Sequence, residues 1–404
     1  MNILFVTWDG PQVSYLESLF LPIFSRLRDS GFQFHILQFS WSSPSITSQR
    51  RQVCEESGCT YISVPVLRKP VAFGSLVTAL MGYRHIHRAI EHYKIDLVLS
   101  RSTLPALSSL LALRAKRQRF IFDADGLPLD ERVDFAGHSP SKFVHRVLRD
   151  IEAQAVRRAD VVLTRSHKAI PVLHSRAGAG TSLGKFHVVS NGRDKFLFAP
   201  GEATDRAVIK EKLGISTDTP LIVYAGSLGP QYCPDSMLRL FKIIRASRPD
   251  AHFLVLTGSP EIMRNLVAAT DSDLFIHITI MRVDAHDVPR WLAAGDLGLA
   301  FRQPTFSMQA VAPIKLGEYL LCGVPVVATR GVGDSHFVDE ESGILIELID
   351  EETLMSISNW FLHHVLPNRD VFRTQCRLSG VMHFSLEASA EAYRRALFSV
   401  KDEV

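Results

Sequence analysis

The sequence predicts two doubly wound α/β domains in tandem. Three observations carry that reading. At 404 residues the chain exceeds what one core usually organises. Short apolar runs alternate with amphipathic stretches, the pattern of parallel strands joined by crossover helices, and the alternation starts afresh in the second half. Between the two series, SNGRDKFLFAPGEATD at about residues 190–205 gathers turn-forming residues and carries a shift in charge. The expected organisation is a first domain at 1–195, a second at 206–385, and a C-terminal helix at 386–404.

In chain order, the first strand candidates are NILFVTW (2–8), FQFHILQF (32–39), YISVPV (61–66), DLVLS (96–100), RFIFDAD (119–125), DVVLT (160–164) and FHVVSN (186–191). Helical stretches fall between them, as at 73–92 and 144–158. The second series runs LIVYAGS (221–227), HFLVLTGS (252–259), IHITI (276–280), DLGLAF (296–301), PVVAT (325–329) and GILIEL (343–348). A helix is expected from about Pro234. Another is expected through IKLGEYLL, with Pro313 suited to its first turn and Gly323 to its C-terminus. LEASAEAYRRALFSV closes the chain as a helix with Leu386, Ala390, Tyr393, Ala396 and Leu397 on one apolar face.

Apolar residues at 46% and charged residues at 22% describe a soluble globular protein. No run reaches the roughly 18 apolar residues a membrane span needs. MNILFVTWDG has no basic leader and meets Asp9 early, so it reads as a strand and not a signal peptide. Five scattered cysteines lack metal-like spacing and point to a reducing cytoplasm. The net charge of +3 hides an asymmetry. Residues 1–200 hold 26 Lys and Arg against 16 Asp and Glu, whereas residues 201–404 hold 19 against 26. A basic half can meet nucleic acid, anionic lipid or phosphorylated ligands. No recognition motif or aromatic-interleaved basic run accompanies the charge, so nucleic acid is not an expected partner.

Ligands of open α/β sheets bind beyond the carboxyl ends of the strands, and four strand-to-loop junctions stand out. In LIVYAGSLGPQY, Gly226, Ser227 and Gly229 let backbone N–H groups approach a phosphate at a helix N-terminus, or simply make a tight turn. In APIKLGEYLLCGVPVVAT, Lys315 and Glu318 share one helix face in a nearly uncharged stretch leading to a core strand. They form either a surface ion pair or a site for a ligand that uses both signs, a diphosphate at Lys315 and sugar hydroxyls at Glu318. In RFIFDADGLPLDE, Asp123 and Asp125 end a strand before Gly126, and suit a divalent metal, acid/base work or an ordinary Asp-Gly turn. In WDGPQVSYLE, Gly10 either admits a ligand or turns the chain; one glycine falls short of a dinucleotide fingerprint.

Taken together, YAGSLG (224–229), VPRWLAAGDLGLAF (288–301), APIKLGEYLLCGVPVVAT (312–329) and GVGD (331–334) resemble the family 4 glycosyltransferases, the retaining enzymes of the two-Rossmann GT-B architecture. The resemblance extends more loosely over the whole chain, including HVVSNGRDKFLFAP at the junction. It implies a nucleotide-diphosphate sugar held by the C-terminal domain, an acceptor held by the N-terminal one across a central cleft, and no metal or other cofactor. Glu318 matches the second glutamate of the family's E-x7-E signature, a ribose-binding carboxylate. Gly226 and Ser227 match the loop that meets the donor diphosphate, and Val283 the place where the base is held through backbone groups. Gly10, Asp123 and Gly126 fall on the acceptor side, with Asp125 as a catalytic candidate there. The resembled fold ends in a helix that crosses back to the N-terminal domain.

Two departures stand out. The first signature glutamate is replaced by Ala310, and the basic pair usual after the GS loop is missing from SLGPQYCPDSM. Lys315 is the candidate replacement, since a departing diphosphate needs a positive partner, with Arg282 and Arg302 in reserve. Three rivals remain open: a metal-dependent GT-A transferase using DAD as its DxD motif, a GT-B-shaped nucleotide-sugar epimerase, and a non-catalytic scaffold. The expected acceptor is a glycan or lipid-linked saccharide of cell-surface polysaccharide synthesis. The basic half fits such an acceptor, or peripheral association with an anionic membrane at the inner face, or a merely solvated surface.

Overall fold

Runs of Val, Ile, Leu and Phe too short for helices become strands buried on both faces, as parallel sheets require. The computed structural model describes residues 1–114, 118–137 and 139–401. Two compact units form: Met1–Ser190 with Ser389–Val404, and Asn191–Ala388. In the first, the described strands are β1 (Asn2–Asp9), β2 (Gln33–Ser40), β3 (Thr60–Pro65), β4 (Leu97–Arg101), β5 (Arg119–Asp123), β6 (Val161–Thr164) and β7 (Phe186–Val188). They pair in the order β3-β2-β1-β4-β5-β6-β7, all parallel, with Ile3 opposite Phe34 on one side and Leu97 on the other. Ile3, Leu4, Phe5 and Val6 are fully buried, as a central strand demands.

The second unit repeats the plan with β8 (Leu221–Ala225), β9 (His252–Leu256), β10 (Ile278–Met281), β11 (Leu297–Ala300), β12 (Val326–Thr329) and β13 (Gly343–Ile346). Their order is β10-β9-β8-β11-β12-β13, again parallel. Successive side chains go to opposite faces. Ile222, Tyr224, Phe253 and Val255 pack on one face with Met237 and Phe241. Leu221, Val223, Leu254 and Leu256 pack on the other with Leu316, Tyr319 and Leu320. In both sheets the order reverses beside the first strand, between β1 and β4 and between β8 and β11. That reversal opens the crevice where such folds bind ligands.

The expected helices form at Val71–Tyr93, Phe143–Arg158, Pro234–Ser247, Ile314–Leu321 and Leu386–Lys401. Gly323, left-handed at φ 71°, ends the fourth of these. The expected linker at 190–205 needs correcting, because residues 191–205 fold into the second unit. Backbone Arg193 N–H donates to Phe384 O at 2.9 Å, Asn191 Nδ2 to Ala312 O at 3.2 Å, and Arg377 to Lys195 O and Phe198 O. The first unit thus ends at Ser190 and not at 195. The chain returns to it within Leu386–Lys401, from Ser389 onward. Leu386, Ala390, Tyr393, Ala396 and Leu397, the face expected to be apolar, are all buried. Among the described residues no helix is long and apolar enough to cross a membrane.

Candidate active site

The switch point of the second unit is built from three segments. The β8 end runs into Gly226 and Ser227, the β11 end runs through Phe301 to Arg302, and the helix Ile314–Leu321 contributes Lys315. Lys315 is buried at 8% exposure, which rules out a solvent-facing pair. Its Nζ donates to Tyr224 Oη at 2.7 Å and lies 4.1 Å and 4.2 Å from the ring centres of Tyr224 and Tyr232. Tyr224 Oη in turn donates to Ser227 O. The Arg302 guanidinium lies 4.3 Å from the same Tyr232 ring, and its buried Nε has no hydrogen-bond partner. Among the described residues, neither Lys315 nor Arg302 forms a salt bridge. Burial, then the nearby Arg302 charge, pulls the Lys315 ammonium well below the ordinary lysine value, while Glu318 opposes them.

Glu318 takes a different partner from Lys315. Its Oε1 accepts from Arg193 Nε at 2.9 Å, with both side chains mostly buried. Arg193 lies in the SNGRD stretch and reading the sequence missed it, as it missed Tyr224 and Tyr232. The only available signal was their place inside the motifs already singled out. Gly226 has φ 138°, and a Cβ there would come within 3.0 Å of Lys315 Nζ, so the lysine occupies the space a side chain would need. Its N–H donates to Leu256 O at 2.9 Å and so braces the loop. Ser227 is exposed, and Val283 is half-buried on the wall of a cavity of about 460 Å³ shared with Arg282, Asp284 and Trp291. Ala310 is fully buried at the end of the turn Ser307–Ala310.

In the first unit the strand ends β1, β4 and β5, with the residue after β6, form one charged network. Asp123 is fully buried, and its Oδ2 accepts from Arg165 Nη2 at 2.7 Å. Asp125 Oδ2 pairs with Arg101 Nη2 at 2.6 Å, and Arg101 also approaches Asp9 at 3.7 Å. Burial pushes the Asp123 carboxyl up, against the pull of Arg165. Each carboxylate of the pair is thus engaged by a guanidinium, which weighs against the metal reading among those the DAD motif left open. The described His, Cys, Asp and Glu residues close enough to share an ion are Asp284, His286 and Asp287, mostly exposed and in the other unit. Gly126 turns the chain at φ 83°. Gly10 is required by packing, since a Cβ there would meet Trp41 at 2.5 Å, and its carbonyl accepts from Arg50.

A family model described as "Glycosyl transferase 4-like domain" matches residues 20–192, and one described as "Glycosyl transferases group 1" matches residues 219–363. A mannosyltransferase of Corynebacterium glutamicum, named as GDP-mannose-dependent and acting on a monoacylated phosphatidylinositol monomannoside, is 28% identical over 180 residues, 43% of this chain and 45% of its own. The Bacillus subtilis protein TuaH, named as a putative teichuronic acid biosynthesis glycosyltransferase, is 26% identical over 240 residues, 56% of this chain and 53% of its own. The chain thus spans about half the length of these relatives. Anabaena HepE, solved with UDP and glucose, superimposes with a TM-score of 0.73 at 17% identity over 99% of this chain and 100% of its own. Sucrose-phosphate synthase from Thermosynechococcus elongatus gives 0.74 at 15% identity over 100% of both chains. At such identities the structures speak for the fold, which is GT-B, and they set aside the single-domain GT-A rival. With both halves matched, the chain belongs to the family 4 glycosyltransferases.

Proposed function

We propose that this protein transfers a sugar, with retention, from a nucleotide-diphosphate sugar to a glycan or lipid-linked acceptor of cell-surface polysaccharide synthesis, at the cytoplasmic side of a membrane. The observation that carries the reading is the Lys315–Tyr232–Arg302 stack, two buried basic side chains that, among the described residues, form no salt bridge at the switch point of the second unit. Uncompensated buried charge is costly, and a diphosphate supplies the missing countercharge. Lys315 then stabilises the departing phosphate and Glu318 accepts the ribose hydroxyls once Arg193 yields. The Gly226–Ser227 loop admits the diphosphate, and the Val283 backbone meets the base.

On the acceptor side, Gly10, Asp123 and Gly126 shape the strand ends. Asp125, the more exposed carboxylate of the pair, accepts a hydrogen bond from an acceptor hydroxyl while Arg101 holds it in place. The acceptor class follows the relatives named for a phosphatidylinositol mannoside and for teichuronic acid. Incubation of the protein with a panel of nucleotide sugars and such acceptors tests the reading. Free nucleotide plus a new glycoside, undiminished by EDTA, supports it. An epimerised donor, no reaction, or activity restored only by manganese overturns it.

A further inference from the structure

We propose that a pocket on the second unit binds a phosphate dianion, free or as the phosphomonoester of a small molecule, distinct from the site at Lys315. The pocket encloses about 280 Å³ between the helices Ala203–Lys212 and Arg369–Phe384 and the turn before β11. Four basic side chains line it, Arg206, Lys210, Arg369 and Arg373, against two acids, Asp296 and Asp370. Asp296 Oδ2 accepts from Leu221 N–H at 2.9 Å, so the pocket lies where β8 and β11 begin. The Gly226–Ser227 loop and Arg302 follow the opposite ends of those strands, and the pocket shares no residue with the Lys315 site.

Asp296 is already committed. Lys210 Nζ donates to its Oδ2 at 3.3 Å, and Arg369 Nε lies 3.0 Å from its Oδ1 without making a hydrogen bond. One carboxylate thus answers two cations. Arg206 and Arg373 remain, and among the described residues neither forms a salt bridge. Each holds a backbone carbonyl instead: Arg206 Nη1 donates to Gly201 O at 2.9 Å, and Arg373 Nη1 to Ala293 O at 3.0 Å. A Cβ on Gly201 would lie 3.6 Å from that of Ala293, so the two anchoring residues touch and the guanidiniums are held near each other. Burial, then the Arg206 charge, pulls the Arg373 guanidinium below its ordinary value, while Asp296 and Asp370 oppose that pull. Glu202 and Asp205, at the start of the first helix, are turned to capping it. Like charges gathered in a partly buried pocket call for an anion. Phosphate oxygens take the guanidinium forks that the carbonyls leave mostly unfilled, and a double charge matches the excess of two cations in the lining. Drug-sized ligands occupy roughly 300–1,000 Å³, so this pocket takes a phosphate or a small phosphomonoester and not a nucleotide sugar.

Calorimetric titration with inorganic phosphate and with glycerol 3-phosphate, at constant ionic strength, tests the assignment. The wild-type chain is expected to bind at least one of them, and the tighter names the source of the phosphoryl group. Arg206→Gln should weaken that binding roughly tenfold, the loss of one hydrogen bond to a charged group, and Arg206→Glu should abolish it. Arg206 is half-buried and repelled by Arg373, so Arg206→Gln should keep or raise the melting temperature. The same variant should lose the rise in melting temperature that phosphate gives the wild type. Lys315→Met should bind phosphate as the wild type does. Neither heat nor a melting shift in the wild type, or equal binding by the wild type and both Arg206 variants, overturns the proposal. Binding lost in Lys315→Met also overturns it, because the phosphate then occupies the donor site. The pocket does not depend on the transferase reading. Glycosyl transfer without phosphate binding would sink the pocket alone, and phosphate binding through Arg206 in a protein that transfers no sugar would sink only the transferase.

Discussion

Lys315 is a cation held where cations are least stable, and that tension makes it testable. Its folded value lies below the ordinary one, so the stability cost is fully present at low pH. The cost is relieved only as pH rises from the folded towards the unfolded value. Lys315→Met should therefore leave the melting temperature at neutral pH unchanged or raise it, while weakening nucleoside diphosphate binding. A bound diphosphate favours the ammonium, so binding should take up a proton, and affinity should fall as pH rises above the free-state value. Calorimetric titration in two buffers of different ionisation enthalpy reads both effects. A variant that melts several degrees lower yet binds normally would make the lysine structural. Glu318→Ala should cost about 1.5–3 kcal/mol of donor binding, the range for a hydrogen bond to a charged group, and unchanged calorimetric affinity would refute its ribose role. Both residues were readable from the sequence because they share one short helix. Their partners were not, since Tyr224 lies 91 residues from Lys315 and Arg193 lies 125 from Glu318. The Asp123–Arg165 pairing was hidden in the same way, since the two residues lie 42 apart.

At the scale of elements, every described strand falls within or beside a run that the apolar pattern picks out. Parallel strands buried on both faces write their position directly into sequence, as ILFV does in β1. The linker was misread because turn-forming residues look alike whether they hang in solvent or pack. Asn191, Arg193 and Lys195 are tied down by groups from Ala312 to Leu386, which no local pattern reveals. The β8–loop–helix element offers its own test at Gly226. An L-residue at φ 138° is strained by about 1–3 kcal/mol, and Cβ would also crowd Lys315 Nζ. Gly178 supplies the control, with φ 96° and nothing within 4 Å of the point a Cβ would occupy. Gly226→Ala and Gly178→Ala should both lower the melting temperature, and only the former should weaken nucleotide binding. Equal binding by the two variants would mean the loop does not approach the donor.

For the whole molecule, the informative feature is a chain that leaves its first unit at Ser190 and returns to it at Ser389. The returning helix contributes Ala390, Tyr393, Ala396, Leu397 and Val400, all buried, whereas the second unit keeps only Leu386–Ala388 of it. The phenol of Tyr393 is pushed up by burial beside Arg165, at the edge of the Asp123 network. Sequence pattern found this face. The partition of residues makes the first unit the one that depends on it. Truncation after Ser385 should destabilise that unit by more than the roughly 3–5 kcal/mol that loss of one large buried aromatic costs, with a smaller effect on the second. Scanning calorimetry with and without a nucleoside diphosphate assigns the transitions, because a ligand that binds only the second unit raises that unit's transition by mass action. The expected result is a lowered or lost transition that the nucleotide does not shift, beside a nucleotide-sensitive one close to wild type. If the nucleotide-sensitive transition is the one that falls, or if neither moves, the helix does not serve the first unit.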